Sequence, residues 1–153
     1  MVKKMDVEQL KKIIETNFEK IDEITPQTKG ELPESVNEVI NLLDEGKIRV
    51  AEKKNNKWIV NQWIKQAILL SFKTNEMDSL SGPYSSWYDK AHLLKGKTAG
   101  WTKEDHEKAG FRMVPNSPVR KGSFVGKNAV LMPCYVNIGA YIDEGTMMDT
   151  FSR

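Results

Sequence analysis

Cysteine is almost missing. Cys134 stands alone, which excludes an intrachain disulfide framework and any zinc site built on several thiolates. Histidine is nearly as scarce, with only His92 and His106. No apolar run approaches the ~20 residues that a bilayer span needs; the longest candidate, Ala67-Ile68-Leu69-Leu70-Ser71-Phe72, is short and interior. The opening Met1-Val2-Lys3-Lys4-Met5-Asp6 lacks the apolar stretch of a secretory signal. Nor is there an excess of one charge, since 23 basic residues face 21 acidic ones. That balance gives no electrostatic ground for nucleic acid or an anionic membrane as the main partner. Together these absences point to a reducing, cytoplasmic location. What remains, 39% hydrophobic and 29% charged residues, is the mix of a globular chain that can bury a core.

The amino-terminal part reads as mainly helical. Val7, Leu10, Ile13, Ile14, Phe18 and Ile21 recur at helical steps, until Thr25-Pro26 and Gly30 break the pattern. Ser35 and Glu38 fit a capping box with Pro33 just before them, so a second helix is expected from about Ser35, closing near Gly46. Ile48 to Glu52 and Trp58 to Val60 flank Asn55-Asn56, which reads as a hairpin because Asn tolerates the left-handed backbone of tight turns. A third helix is expected over about 61–72. Residues 74–100 read as loop, punctuated by Ser81-Gly82-Pro83, Gly96 and Gly100. A short helix is expected from Thr102 to Ala109, with Thr102 and Asp105 as cap and partner.

The carboxy-terminal segment follows a different rule. Apolar residues recur every six positions at Phe124, Val130, Val136, Ile142 and Met148, each followed four residues later by Asn128, Cys134, Ala140, Thr146 and Ser152. A period of six suits a parallel β-helix, whose triangular coils have one short strand per side. One apolar and one small side chain of each hexapeptide would point inward.

Several segments resemble one family in its order along the chain. They are Arg49-Val50-Ala51-Glu52-Lys53, Ala67 to Phe72, Gly110-Phe111-Arg112-Met113-Val114-Pro115, Val130-Leu131-Met132-Pro133, and Tyr135 through Tyr141. The best match is Asp143-Glu144-Gly145-Thr146-Met147-Met148-Asp149-Thr150. The chain resembles the amino-terminal portion of the tetrahydrodipicolinate N-succinyltransferases, hexapeptide-repeat acyltransferases of lysine and diaminopimelate biosynthesis. The resemblance implies an α+β fold in which a mainly helical amino-terminal domain (1–115) leads into the first coils of a left-handed parallel β-helix (116–153). It implies a homotrimer and succinyl-CoA as co-substrate, with no permanently bound cofactor. The reaction implied is succinyl transfer to the amine of ring-opened tetrahydrodipicolinate.

Substrate contacts of the family fall on Arg112 and Asp149, with Asp149 also catalytic. A second acidic catalytic residue of the family lies beyond Arg153, and relatives carry Trp where this chain has Phe151. The β-helix is therefore expected to be truncated and the isolated chain to bind CoA poorly; the CoA-contact residues stay unknown. Two alternatives remain open, a non-catalytic trimerisation piece and a hexapeptide acyltransferase with another acceptor.

Taken alone, Arg112 is an ordinary surface arginine, although a guanidinium fork suits a carboxylate. Asp149 alone is a turn former, although a carboxylate can hold an amine and help remove its proton. No histidine lies between Phe124 and Arg153, so a three-histidine metal site receives no support. Cys134 sits at a small inward position and reads as a buried, inert thiol. Trp58, Trp63, Trp87 and Trp101 read as core or subunit packing, and Asp89 with Lys90 as a solvated ion pair. Lys95, Lys97 and Lys103 read as surface lysines with only a weak claim on a CoA phosphate.

Overall fold

A computed structural model of the chain describes residues 6–152; the amino-terminal stretch considered for a signal lies, except for Asp6, outside them. Three helices make the first layer: α1 (Val7–Phe18), α2 (Glu31–Asp44) and α3 (Gln62–Thr74). Asp6 and Gln9 close a capping box on α1. The helices bury Leu10, Ile14, Val36, Val39, Ile64, Ala67 and Leu70 almost completely, each of the larger side chains contributing about 1.5–3 kcal/mol of transfer free energy and the Ala67 methyl about 0.8 kcal/mol. α2 starts at Glu31, not at Ser35. Pro33 sits within its first turn, where its missing N–H is one the helix leaves unpaired anyway, and Ser35 is buried inside the bundle.

Between α2 and α3 stands the hairpin β1 (Ala51–Lys54) and β2 (Lys57–Val60). Asn55 and Asn56 turn it with φ of 49° and 60°, the paired left-handed residues of a tight hairpin turn. The stretch read as loop after α3 is partly ordered. It holds a second antiparallel hairpin, β3 (Met77–Ser81) with β4 (Ser86–Lys90), and the short α4 (Ala91–Leu94). Both strands are largely exposed and polar, so no apolar alternation marks them. α5 (Lys103–Ala109) follows, with the expected Thr102–Asp105 capping box.

From β5 (Arg112–Met113) onward the backbone visits three parallel ladders in rotation. The first stacks β5 on β7 (Val130–Leu131) and on β9 (Met147–Met148). The second is the bridge Val119–Val136, and the third pairs β6 (Phe124–Val125) with β8 (Tyr141–Ile142). The interior is not filled in the expected phase. Phe124 and Val130 are only half-buried; the inward residues are Val119, Val125, Leu131, Val136 and Ile142, with Ser117, Ser123, Ala129 and Cys134 as the small set. Asn128 is exposed.

The cause is one short step. Leu131 to Val136 spans five residues where the other steps span six, and Pro133 lies within it. Left-handed corners occur at Asn116, Gly122, Asn128, Gly139, Gly145 and Phe151, a six-residue series with one member missing at the proline, whose φ is fixed near −65°. Partners consequently lie eighteen residues apart in β5–β7 but seventeen in every pairing that encloses the short step.

The helices rest on one corner of these coils. Ile138 belongs to the helical core. A Cβ on Gly139, whose φ is +84°, would lie 2.8 Å from Ile68 Cδ1 and 3.2 Å from Val50 Cγ2. Gly139→Ala should therefore destabilise the chain by about 2 kcal/mol in urea unfolding, through left-handed strain together with the collision. Asn128→Gly, at an open left-handed corner, should change stability by no more than about 0.5 kcal/mol. Equal effects of the two substitutions would show that the corner contact carries no weight.

Candidate functional site

Arg112 and Asp149 occupy the same face of the same ladder. Arg112 pairs with Val130 and Val130 with Met147, while Met113, Leu131 and Met148 form the adjacent row. Side chains alternate along a strand, and burial agrees: Leu131 is fully buried, whereas Arg112, Met147 and Asp149 are exposed. Arg112 therefore sits two strand steps across, about 10 Å, and two residues along from Asp149. The two are not in contact. Half-buried Val130 and exposed Met147 form an apolar strip between the cation and the anion.

Asp149 also has a structural task. Its Oδ1 accepts the Thr150 N–H at 2.7 Å, and its carbonyl accepts the Ser152 N–H at 3.0 Å. Asn137 makes the same pair of bonds to Ile138 and Ala140, and Asp143 to Glu144 and Thr146. The three occupy one position of the repeat, where an Asx side chain organises the corner. Turn formation accounts for one carboxylate oxygen of Asp149; a carboxylate has two.

Arg112 lies in an open groove of about 730 Å³ bounded by α5 and the start of the first ladder. Lys103 and His106 of α5 line it together with Asn128 and Val130. Trp101 braces this wall, its ring meeting His106 edge-on at 5.1 Å between centroids and Phe111 at 5.9 Å. Gly110 ends α5 in the left-handed conformation and its carbonyl accepts the Asn128 N–H at 2.7 Å. Sequence alone assigns His106 no role, Lys103 only a weak claim on a CoA phosphate, and Trp101 a packing role. The residues of this wall are spread over 101–130 and meet only because α5 folds back on the coil.

The other candidates have structural partners. Lys97 is not a surface lysine: its Nζ reaches the Asp44 carboxylate at 2.8 Å and the Asp44 carbonyl at 2.9 Å. Asp89 pairs with Arg120 and not with Lys90, whose Nζ donates instead to the Asn75 carbonyl at 2.9 Å. Cys134 is buried, and that burial pushes its thiol pKa up, as an inert thiol requires. Trp63 is buried, whereas Trp58 and Trp87 are exposed on the two hairpins. His92 packs near Phe72 at 6.4 Å between ring centroids, and neither ring nitrogen has a hydrogen-bond partner. Among the described residues no cluster of His, Cys, Asp and Glu could hold a metal ion, and no helix is long and apolar enough to cross a membrane.

The family described as Tetrahydrodipicolinate N-succinyltransferase N-terminal matches residues 9–74, the span of α1 to α3. A 2,3,4,5-tetrahydropyridine-2,6-dicarboxylate N-succinyltransferase of Pelagibacter ubique is 67% identical over 138 residues, covering 90% of this chain and 50% of that protein. The enzyme of the same name from Nitrosomonas europaea is 52% identical over 135 residues, covering 88% and 48%. The one from Parvibaculum lavamentivorans is 47% identical over 150 residues, covering 96% and 52%.

The chain is similar to tetrahydrodipicolinate N-succinyltransferases over about nine-tenths of its own length. It spans about half the length of the curated relatives it matches. The N-succinyltransferase amino-terminal match ends before both Arg112 and Asp149, so those residues lie on the coil and not in the matched helical region.

Two shielded polar groups bear on stability. Lys97→Met leaves the Asp44 carboxylate without its cation in a shielded joint, and should cost about 3 kcal/mol in chemical denaturation; a loss below 0.5 kcal/mol would make the pair dispensable. Burial, above all, lowers the His92 pKa from 6.5 to about 4. Between those pH values the unfolded chain binds a proton that the folded chain refuses, so this group's contribution is full above pH 6.5 and falls as pH drops toward 4. His92→Phe should therefore raise stability more at pH 5 than at pH 7.5. A gain independent of pH would show that His92 titrates normally.

Proposed function

We propose that this chain supplies the acceptor-binding part of a cytoplasmic N-succinyltransferase that joins succinyl from succinyl-CoA to the amine of ring-opened tetrahydrodipicolinate. Residues 1–115 form its amino-terminal unit and residues 116–153 the first coils of a left-handed β-helix, which β5 joins at the first ladder. The observation that carries the reading is the single exposed face bearing Arg112, an apolar strip and Asp149. An amino dicarboxylate has the matching order of charge, methylene chain and amine. The names of the relatives support it.

In the proposed reaction Arg112 holds a carboxylate through its fork of donors. The second oxygen of Asp149 holds the amine and takes up its proton as nitrogen attacks the thioester carbonyl. The carbon–nitrogen bond forms, the carbon–sulfur bond breaks, and CoA leaves as the thiol on regaining a proton. Backbone N–H groups are the donors suited to the carbonyl oxygen as charge develops on it. The remaining coils and neighbouring copies of a homotrimer would complete the acyl-CoA groove.

The test is a thiol-release assay on this chain extended by the remaining half of the Pelagibacter relative. Asp149→Asn keeps the corner, since Asn137 organises the equivalent one, and should lower kcat about 100-fold with an unchanged unfolding midpoint. Arg112→Lys should raise KM for the acceptor about tenfold and leave KM for succinyl-CoA unaltered. Full activity of the Asp149→Asn protein would remove Asp149 from the chemistry. An extended chain without any succinyl transfer would leave the non-catalytic reading in its place.

A further inference from the structure

The groove between α5 and the first ladder contains more hydrogen-bond donors than Arg112 alone. Lys103, His106 and Arg112 all line it, with Asn128 adding a side-chain amide. Two carboxylates oppose them: Glu107, tied to Lys103 at 3.5 Å in an exposed pair along one turn of α5, and Glu144, which accepts from the Asn128 amide at 3.4 Å. Such pairs are weak, so an incoming carboxylate can recruit Lys103. His106 is different, because the edge-on contact with Trp101 and the Trp101–Phe111 contact hold its ring against the groove.

Direction along the ladder adds the second observation. Its strands are parallel, so all run from the end that carries Gly110 and Asn128 toward the end that carries Asp149. α5 lies at the starting end, and Arg112 stands between it and Asp149. A ligand laid along this face with its amine at Asp149 points its other end at α5. Resting on the acceptor reading above, we propose that the groove is the subsite for the acceptor's carboxylate farther from the reacting amine. Lys103 and His106 are then residues that determine specificity for a dicarboxylate over a monocarboxylate, with Arg112 shared between the two halves of the site.

The experiment titrates the chain with pyridine-2,6-dicarboxylate and, separately, with pyridine-2-carboxylate, using calorimetry and the imidazole proton signals. Lys103→Met and His106→Gln should each weaken the dicarboxylate about tenfold and change monocarboxylate binding less than twofold. The His106 signals should move only with the dicarboxylate. Lys108→Met removes the same charge from α5 at a position outside the groove and should leave both ligands unchanged. The inference is overturned if both ligands weaken alike, if Lys108→Met acts like Lys103→Met, or if the chain does not bind the dicarboxylate. Dicarboxylate binding that is lost in Arg112→Ala but ignores Lys103 and His106 also overturns it, while the acceptor reading stands. Failure of that reading shows separately, in the thiol-release assay of the extended chain.

Discussion

The carboxylate of Asp44 fastens the two halves of the structure together. It closes α2, where an acid faces the negative end of the helix dipole and would by itself be unfavourable. Lys97 reverses the sign. Its ammonium takes both the side chain and the carbonyl of Asp44, so it serves one of the unpaired helix-end acceptors as well as the charge. The second Asp44 oxygen accepts the N–H of Gly122, the left-handed corner that packs against Ile40 and Ile138. Meanwhile the Lys97 backbone N–H donates to Val119 at 2.7 Å. Helix, connecting segment and coil thus meet at one shielded joint. The chain between Lys97 and Arg112 contains all of α5, so both ends of the segment that builds the groove are pinned.

What could be read from the residues divides along physical lines. Amphipathic helices announce themselves because a continuous core selects one face, and Asn55-Asn56 announces a turn because few residues accept two successive left-handed conformations. The hairpin of β3 and β4 has no such signal. Its strands bury almost nothing, and what holds them to the coil is chemistry at a distance, the Asp89 ion pair with Arg120 some thirty residues away. Arg112 and Asp149 could be singled out only through resemblance to a family, since a lone charge has no period. In sequence His106 is only one of two scarce histidines and Lys103 a surface lysine with a weak claim on a CoA phosphate, because their neighbours in space are not their neighbours in sequence.

The repeat shows how a strict period can yield a wrong phase. A strict period of six, extended backward from Val136, Ile142 and Met148, lands on Phe124 and Val130. Those residues instead pack outside. Phe124 stacks on Tyr141 at 4.6 Å between ring centroids, and the Arg49 guanidinium lies 3.3 Å from the Tyr141 ring centroid. The aromatic pair belongs to the seam with the helical layer. Composition could not distinguish this seam from the interior, because both sites want large apolar side chains.

The short step at Pro133 also decides the chemistry available on the first ladder. With six residues at every corner, Leu131 would stack on position 149, one full coil of eighteen later. Asp149 would then point into the coil, where an unpaired carboxylate costs several kcal/mol. With seventeen residues per coil, Leu131 stacks on Met148, the thioether fills the interior, and Asp149 turns outward onto the face that bears Arg112. A proline that cannot adopt the left-handed corner thus shortens the coil by one residue. That one residue separates a buried, destabilising acid from an exposed one that can meet a substrate.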